Sequence, residues 1–408
     1  MPSCLTAERA GFDWNTAISK SAMYIERKDT MGIQLFVPTF DVEACLAQIR
    51  ECLEKGWPGM GFKTVEFENA WKQYTGLPNA HFLASATAGL NLALEVMKEE
   101  YGWEDGDEVI TTPMTFVSTN HAILINKLSA VFADIDEYLC LDPKKVEAAI
   151  TPKTRAVMFV GMGGSTGRFE EVAAICKAHG LRLILDAAHM AGTRLNGKIP
   201  GQEADVVNYS FQAVKNLPTA DSGMICFREN RFDEIVRKKT WLGINKDTYS
   251  RMTNTGGNYK WRYDVEYIGH KAHGNSIMAA IALAQLPRLD HDNAYRRQIV
   301  KWYREGFQAY PDVIRQIPNP EGCESAHHLY QIMVDDRDGL LTYLNEHDIF
   351  PGVHYIDNTQ YRMYAYAHGT CPNAHYVSDH ILSLPLHMRL TYEDVQKIID
   401  TVVAYTTI

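Results

Sequence analysis

The chain has 408 residues, 46% hydrophobic and 22% charged, more than one core ordinarily serves, so a large and a smaller domain are expected. Its formal net charge of −10 argues against a nucleic-acid or anionic-membrane partner, and an anionic substrate would need a local cluster of cations. No apolar run is long enough to span a bilayer. The eight cysteines include no Cys-x-x-Cys pair, and no basic-then-apolar leader precedes them, so reduced thiols, a cytoplasmic location and no metal site are expected.

The residues up to Met31 read as a polar, weakly periodic extension, either a docked arm or the product of an upstream translational start. The domain reading is an extension over 1–35, a large domain over 36–290 and a small one over 291–408. From Asp41, helix and strand alternate. Asp41 is placed to cap a helix over 41–55 that ends before Gly56, and a second helix over 65–74 stops at Gly76. Short apolar, β-rich runs follow at 80–84, 108–112, 129–133, 155–161, 181–185, 205–209 and 223–227, with helices at 87–100, 143–150 and 170–179 between them. This pattern predicts a mostly parallel seven-stranded α/β sheet covered on both faces, with ligands at the carboxyl ends of its strands. A helical zone from about 276, including 293–308, leads to a smaller α+β unit. That unit has a strand near 327–333, a helix over 337–346 and a last helix opened by Thr391-x-x-Asp394.

Five elements then stand in an informative order. Ser85-Ala86-Thr87-Ala88-Gly89-Leu90 joins a strand to a helix, and its small residues let a phosphate approach the free N–H groups of that helix. Phe116, after the strand 108–112, offers a flat ring for stacking. Asp186 ends the apolar run Leu183-Ile184-Leu185, where an unpaired carboxylate is costly and a protonated pyridine nitrogen would be a partner. His189 follows three residues later. Ser210 and Lys215 lie past the next strand, with Lys215 29 residues after Asp186. A lysine that forms a Schiff base and an acid that keeps a ring nitrogen protonated are the pair needed to hold a pyridoxal ring. Each element alone has a plainer reading: a capped helix, a core aromatic, a turn-capping aspartate, a loop histidine, a solvated lysine. The five in this order are hard to obtain by chance.

The chain resembles the sugar aminotransferases of the DegT/DnrJ/EryC1/StrS group, which have the aspartate-aminotransferase fold, fold type I of the pyridoxal-phosphate enzymes. The resemblance runs from about Phe36 to Ile408. It is carried by Gly59-Met60-Gly61, the 85–90 segment, Asp107-Glu108-Val109-Ile110-Thr111-Thr112-Pro113, Asp186-Ala187-Ala188-His189, Ser210-Phe211-Gln212-Ala213-Val214-Lys215-Asn216, Gly352-Val353-His354-Tyr355 and Ser383-Leu384-Pro385-Leu386-His387. It implies that Lys215 is the Schiff-base lysine, Asp186 the partner of the ring nitrogen, and His189 the neighbour of the phenolic oxygen. Phe116 would be the ring stacker, and Ala86, Thr87 and Ser210 the phosphate site. It further implies a homodimer in which a segment around 269–275, with Lys271 and His273, closes the neighbour's site, and it puts His354 and Tyr355 near the substrate. Departures are Asp221-Ser222-Gly223 where the family often has Glu-Gly-Gly, His273, Gln212, and a glycine-rich stretch from Gly161 to Gly167.

The implied activity is transfer of an amino group from L-glutamate to a keto-sugar bound to a nucleotide, with pyridoxal 5′-phosphate cycling through its amine (PMP) form. A smaller phosphorylated ketone is the alternative substrate. A sugar dehydratase is the rival within the fold, and there the lysine position is typically histidine. A non-catalytic cofactor-binding sensor that kept the fold is the rival from another class, and it predicts loss of Lys215 or Asp186, or an added DNA-binding module. The nucleotide is suggested by the segment 237–273, where eight cations (Arg237, Lys238, Lys239, Lys246, Arg251, Lys260, Arg262, Lys271) face only three acids and alternate with Trp241, Tyr249, Tyr259 and Trp261.

Overall fold

The computed structural model describes residues 32–245 and 263–407. The seven apolar runs all become strands of one sheet: β1 His81–Leu83, β2 Glu108–Thr111, β3 Ser129–Phe132, β4 Thr154–Val160, β5 Arg182–Asp186, β6 Val206–Ser210 and β7 Gly223–Phe227. Their order across the sheet is β1-β7-β6-β5-β4-β2-β3. The pairs from β6 to β3 are parallel, whereas β7 runs antiparallel to both β6 and β1. Successive residues of β6 and β7 are all buried, as they must be when both faces of a sheet are covered, and this is why these strands read as continuous apolar runs. Burial of side chains such as Leu183, Ile184 and Leu185 contributes about 1.5–3 kcal/mol each.

The helices in chain order are α1 Val42–Glu54, α2 Phe62–Thr75, α3 Ala86–Tyr101, α4 Val117–Ile125, α5 Pro143–Ala148, α6 Phe169–His179, α7 Asn230–Lys239, α8 Ser276–Gln285, α9 Leu289–Phe307, α10 Arg337–Glu346, α11 Pro372–His380 and α12 Tyr392–Thr406. Asp41 caps α1 by accepting the Ala44 N–H at 3.0 Å, and Gly180 ends α6 in the left-handed conformation. At α12, Thr391 and Asp394 satisfy each other's backbone N–H groups. The sequence pattern misses α4, α7 and α11. Helix α4 groups its polar residues, Ser118 to His121, ahead of its apolar ones, Ala122 to Ile125, so no helical period shows, and α7 is dense in charge although Phe232, Ile235 and Val236 form its buried stripe.

A second hydrophobic core gathers the later turns of α9 (Ile299, Val300, Tyr303, Phe307) with Val395, Ile398, Ile399 and Val402 of α12. They pack on a three-stranded antiparallel sheet of Arg315–Gln316, Tyr330–Met333 and Ile381–Leu384. Ile33 and Gln34 pair in parallel with Ile349 and Phe350, so the ordered fold takes in residues just ahead of Phe36. Among the described residues, no helix is long and apolar enough to cross a membrane.

Candidate active site

Five strands end at one cavity of about 420 Å³, which is lined by nine of the expected residues: Ala86, Thr87, Phe116, Asp186, His189, Ser210, Lys215, His354 and Tyr355. Thr119, Gln212, Asp221, Ser222, Phe36 and His328 also line it.

The floor is built by close backbone approach. Ser85 caps α3, its Oγ accepting the Ala88 N–H at 3.1 Å, which leaves the first N–H groups of the helix for another acceptor. The Asn208 side chain of β6 donates to Ala86 O at 3.0 Å and ties the helix start to the sheet. Two glycines make this possible. A Cβ at Gly89 would sit 1.9 Å from Asn208 Oδ1, and one at Gly223 would sit 2.5 Å from Ala86 N. Ser210, at the end of β6, faces the same floor. A helix N-terminus flanked by hydroxyls in this way can cradle an anion.

Asp186 is buried at the end of β5. Its carboxylate accepts from Thr119 Oγ1 at 2.8 Å and from the Ala188 N–H at 3.1 Å; among the described residues no cation lies within ion-pair distance. Burial pushes its pKa up, and the two donors with the more distant Lys215 charge oppose that shift. A buried carboxylate open to a cavity in this way needs a cation from the ligand. Lys215 is half-buried across the cavity, and burial lowers its amine to about 8 while Asp186 acts against the shift. His189 is held neutral by burial, assisted by the Lys215 and His354 charges. Its Nδ1 accepts the Gly163 N–H at 3.2 Å. That contact uses the glycine-rich stretch, with Gly163 and Gly164 at positive φ. Phe116 is not directly at a strand end as expected. It sits five residues beyond β2 at the start of α4, largely exposed beside Tyr355.

Two expected residues, Lys271 and His273, do not line this cavity. Arg251 lies outside the described residues. Lys271 is exposed, its Nζ 3.1 Å from the Trp241 ring centroid. His273 bridges to Leu83 on the outer edge of the sheet, flanked by hydrogen bonds from Ala84 N to Ala272 O and from Gly274 N to Phe82 O, both 2.8 Å.

The cation strip needs correction. Arg237 pairs with Glu68 and Asp233, Lys238 with Glu266, and Lys239 with Glu95 and Glu99. Three of the eight charges are thus neutralised: Arg237 and Lys239 by acids outside the segment, invisible to a count along it, and Lys238 by Glu266 within it. Lys246, Lys260 and Arg262 lie, like Arg251, outside the described residues.

Thr119 and His328 escape the sequence reading. Thr119 needed α4 to be recognised. His328 lies just before Tyr330–Met333, and nothing in the sequence brings that segment to Lys215.

The helix N-terminus, the buried acid without a cation among the described residues and the depressed lysine together fit pyridoxal phosphate, whose phosphate the α3 start would hold and whose pyridinium Asp186 would pair with. The sequence pattern of the DegT/DnrJ/EryC1/StrS aminotransferase family matches residues 40–403. The chain belongs to that family. It is 35% identical over 369 residues to the spore coat polysaccharide biosynthesis protein SpsC of Bacillus subtilis, covering 88% of this chain and 93% of that one. The putative sugar aminotransferase Spr1654 of Streptococcus pneumoniae, in its PMP form, superposes with a TM-score of 0.82 at 28% identity, covering 91% of this chain and 98% of that one. It has also been solved in a PLP form. Helicobacter pylori PseC, an aminotransferase involved in the biosynthesis of pseudoaminic acid, gives 0.84 at 26% identity, covering 92% and 99%. The chain is therefore a pyridoxal-phosphate-dependent aminotransferase of the sugar aminotransferase type with the fold type I architecture.

Proposed function

We propose that the enzyme transfers an amino group from L-glutamate to a nucleotide-linked keto-sugar, working as a homodimer in the cytoplasm. The observation that carries the site assignment is the buried Asp186 carboxylate, lacking a cationic partner among the described residues, in one cavity with the low-pKa amine of Lys215.

Pyridoxal phosphate, when bound, supplies an electron sink that lets a proton leave the carbon beside an amino nitrogen. In this reading the N–H groups at Ala86 and Thr87 and the Ser210 hydroxyl hold the phosphate. Asp186 keeps the ring nitrogen protonated, with Thr119 and Ala188 N–H fixing the carboxylate. His189 Nε2 would donate to the phenolic oxygen, and Phe116 would stack on the ring. Lys215 Nζ would carry the proton between the substrate carbon and the cofactor carbon within each half-reaction. Asn208, Gly89 and Gly223 hold the floor rigid.

The sugar is supported by the relatives named above. Its nucleotide is supported by Lys271 stacked on Trp241 at the sheet edge and by the cations and aromatics of 246–262. The partner subunit would bring that edge, with His273, over the cavity. A smaller phosphorylated ketone is the second reading, favoured by the three cations already neutralised within the chain. The test is spectroscopic: the yellow holoenzyme is bleached with L-glutamate, then offered keto-sugars with and without a nucleotide, and the colour must return.

A further inference from the structure

Two buried imidazoles stand side by side in the cavity wall, His189 and His328, with ring centroids 4.4 Å apart. The fold fixes their hydrogen-bonding polarity in opposite senses. A backbone N–H can only donate, so the Gly163 N–H at His189 Nδ1 makes that nitrogen an acceptor and leaves the proton of the neutral ring on Nε2. His189 thus shows a donor to the site, where Tyr355 Oη lies 3.3 Å away.

His328 is set by a longer chain anchored on backbone carbonyls, which can only accept. Asn293 Nδ2 donates to Ala191 O at 2.9 Å, so Asn293 Oδ1 is an acceptor and receives Asn216 Nδ2 at 2.7 Å. The same Asn216 Nδ2 donates to Ala326 O at 2.7 Å. Asn216 must therefore turn Oδ1 toward His328, where it meets Nδ1 at 3.2 Å. Nδ1 of His328 carries the proton, and its Nε2 is a bare lone pair with no hydrogen-bond partner among the described residues. Phe36 stacks on the ring at 5.3 Å and 7°, holding its plane. All the groups that face the pair from neighbouring elements favour neutral rings: burial first, then the charges of Lys215 and Arg296 and the His354 ring.

We infer that His328 is a specificity-determining residue whose Nε2 accepts a hydrogen bond from a hydroxyl of the sugar substrate, with Asn216 as the positioning residue that keeps this lone pair exposed. A neutral hydroxyl is preferred to an ammonium because Lys215 already places positive charge beside this ring. The inference rests on the keto-sugar reading above. It also gives Asn216, next to Lys215 in the chain, a function distinct from that of the lysine.

Two side chains separate this role from mere packing. His328→Gln puts an amide oxygen near the Nε2 position, whereas His328→Asn keeps a polar group only near Nδ1, where it can still meet Asn216. The holoenzyme of each variant is assayed in its two half-reactions. Asparagine is expected to raise KM for the keto-sugar about tenfold, the worth of one lost hydrogen bond, and glutamine by no more than about threefold; the L-glutamate half-reaction should change less than the sugar half-reaction in both. Asparagine retaining more sugar activity than glutamine would mean a structural role and overturn the proposal. So would a larger effect on glutamate, which would assign the lone pair to the amino donor. Independently of turnover, selectively ¹⁵N-histidine-labelled enzyme should show His328 in the Nδ1–H and His189 in the Nε2–H form. The opposite tautomer at His328 also overturns the inference. If no keto-sugar restores the colour of the wild type, the substrate reading has failed, and the tautomer result still tests the geometry.

Discussion

The Thr119 hydroxyl donates to Asp186 Oδ2 at 2.8 Å, and Thr115 Oγ1 lies 2.9 Å behind it. The acid at the end of β5 is therefore oriented by a helix that the sequence pattern did not reveal. Neutral donors can hold a carboxylate in place without neutralising it, so the charge of Asp186 remains available to a ring nitrogen. Asp186→Asn keeps the size and removes the charge, and turnover is expected to fall by orders of magnitude with cofactor affinity weakened less. Thr119→Val removes one hydrogen bond to a charged group, worth about 1.5–3 kcal/mol, and should lower kcat about ten- to a hundredfold. Single-turnover rates with L-glutamate measure both. A mild effect of Asp186→Asn would reduce the residue to a turn cap through Ala188.

Lys215 gives a prediction in pH. Burial lowers its amine from 10.5 to about 8, so the unprotonated form at neutral pH is more abundant by roughly two orders of magnitude than for a solvated lysine. Capture of the cofactor by the apoprotein should rise with pH, pass its midpoint near 8 and level off above it. The same shift affects stability. Below about 8 the buried charge is a full penalty; between 8 and 10.5 the folded protein has released a proton that the unfolded chain still holds, so Lys215 makes the apoprotein more stable as pH rises. Lys215→Ala should lose the visible absorbance, the turnover and this pH dependence. A capture profile still climbing at pH 10 would contradict the assignment.

The sheet edge carries a prediction about assembly. His273 and Lys271 lie outside the cavity of their own chain, so in the proposed dimer they act on the neighbour's site. Inactive Lys215→Ala chains mixed with His273→Ala chains should form hybrid dimers that recover activity, because one of the two sites is then intact. Absence of complementation, or a fully active monomer in sedimentation, would remove the shared site.

Charge reversal tests the nucleotide. Lys271→Glu is expected to raise KM for the sugar substrate much more than for L-glutamate, and more at low salt than at high. Arg251 and Lys260 are the companion positions. Equal effects on both substrates would favour the smaller phosphorylated ketone.

The seven strands and most helices were legible because each is a short apolar run or an amphipathic stretch bounded by Gly, Asp or Thr, as at Asp41, Gly180 and Thr391. The strand-end residues Asp186 and Ser210, and Lys215 in the turn that follows β6, were legible for the same reason: in a parallel sheet, position along the strand fixes position at the site. Long-range partners were not. Thr119 reaches Asp186 from a helix with no visible period. His328 reaches Asn216 across 112 residues, and Arg237 and Lys239 lose their apparent freedom to acids on α2 and α3. Side-chain pairing between distant elements leaves no spacing in a sequence.

The most direct measurement is a two-step spectrum of the purified holoenzyme. L-Glutamate should bleach the absorbance of the lysine-bound cofactor, and a nucleotide-linked keto-sugar should restore it, with release of the aminated sugar in equal amount to the enzyme sites. A holoenzyme that L-glutamate bleaches but no nucleotide-linked keto-sugar recolours, while a small phosphorylated ketone does, would contradict the proposed substrate.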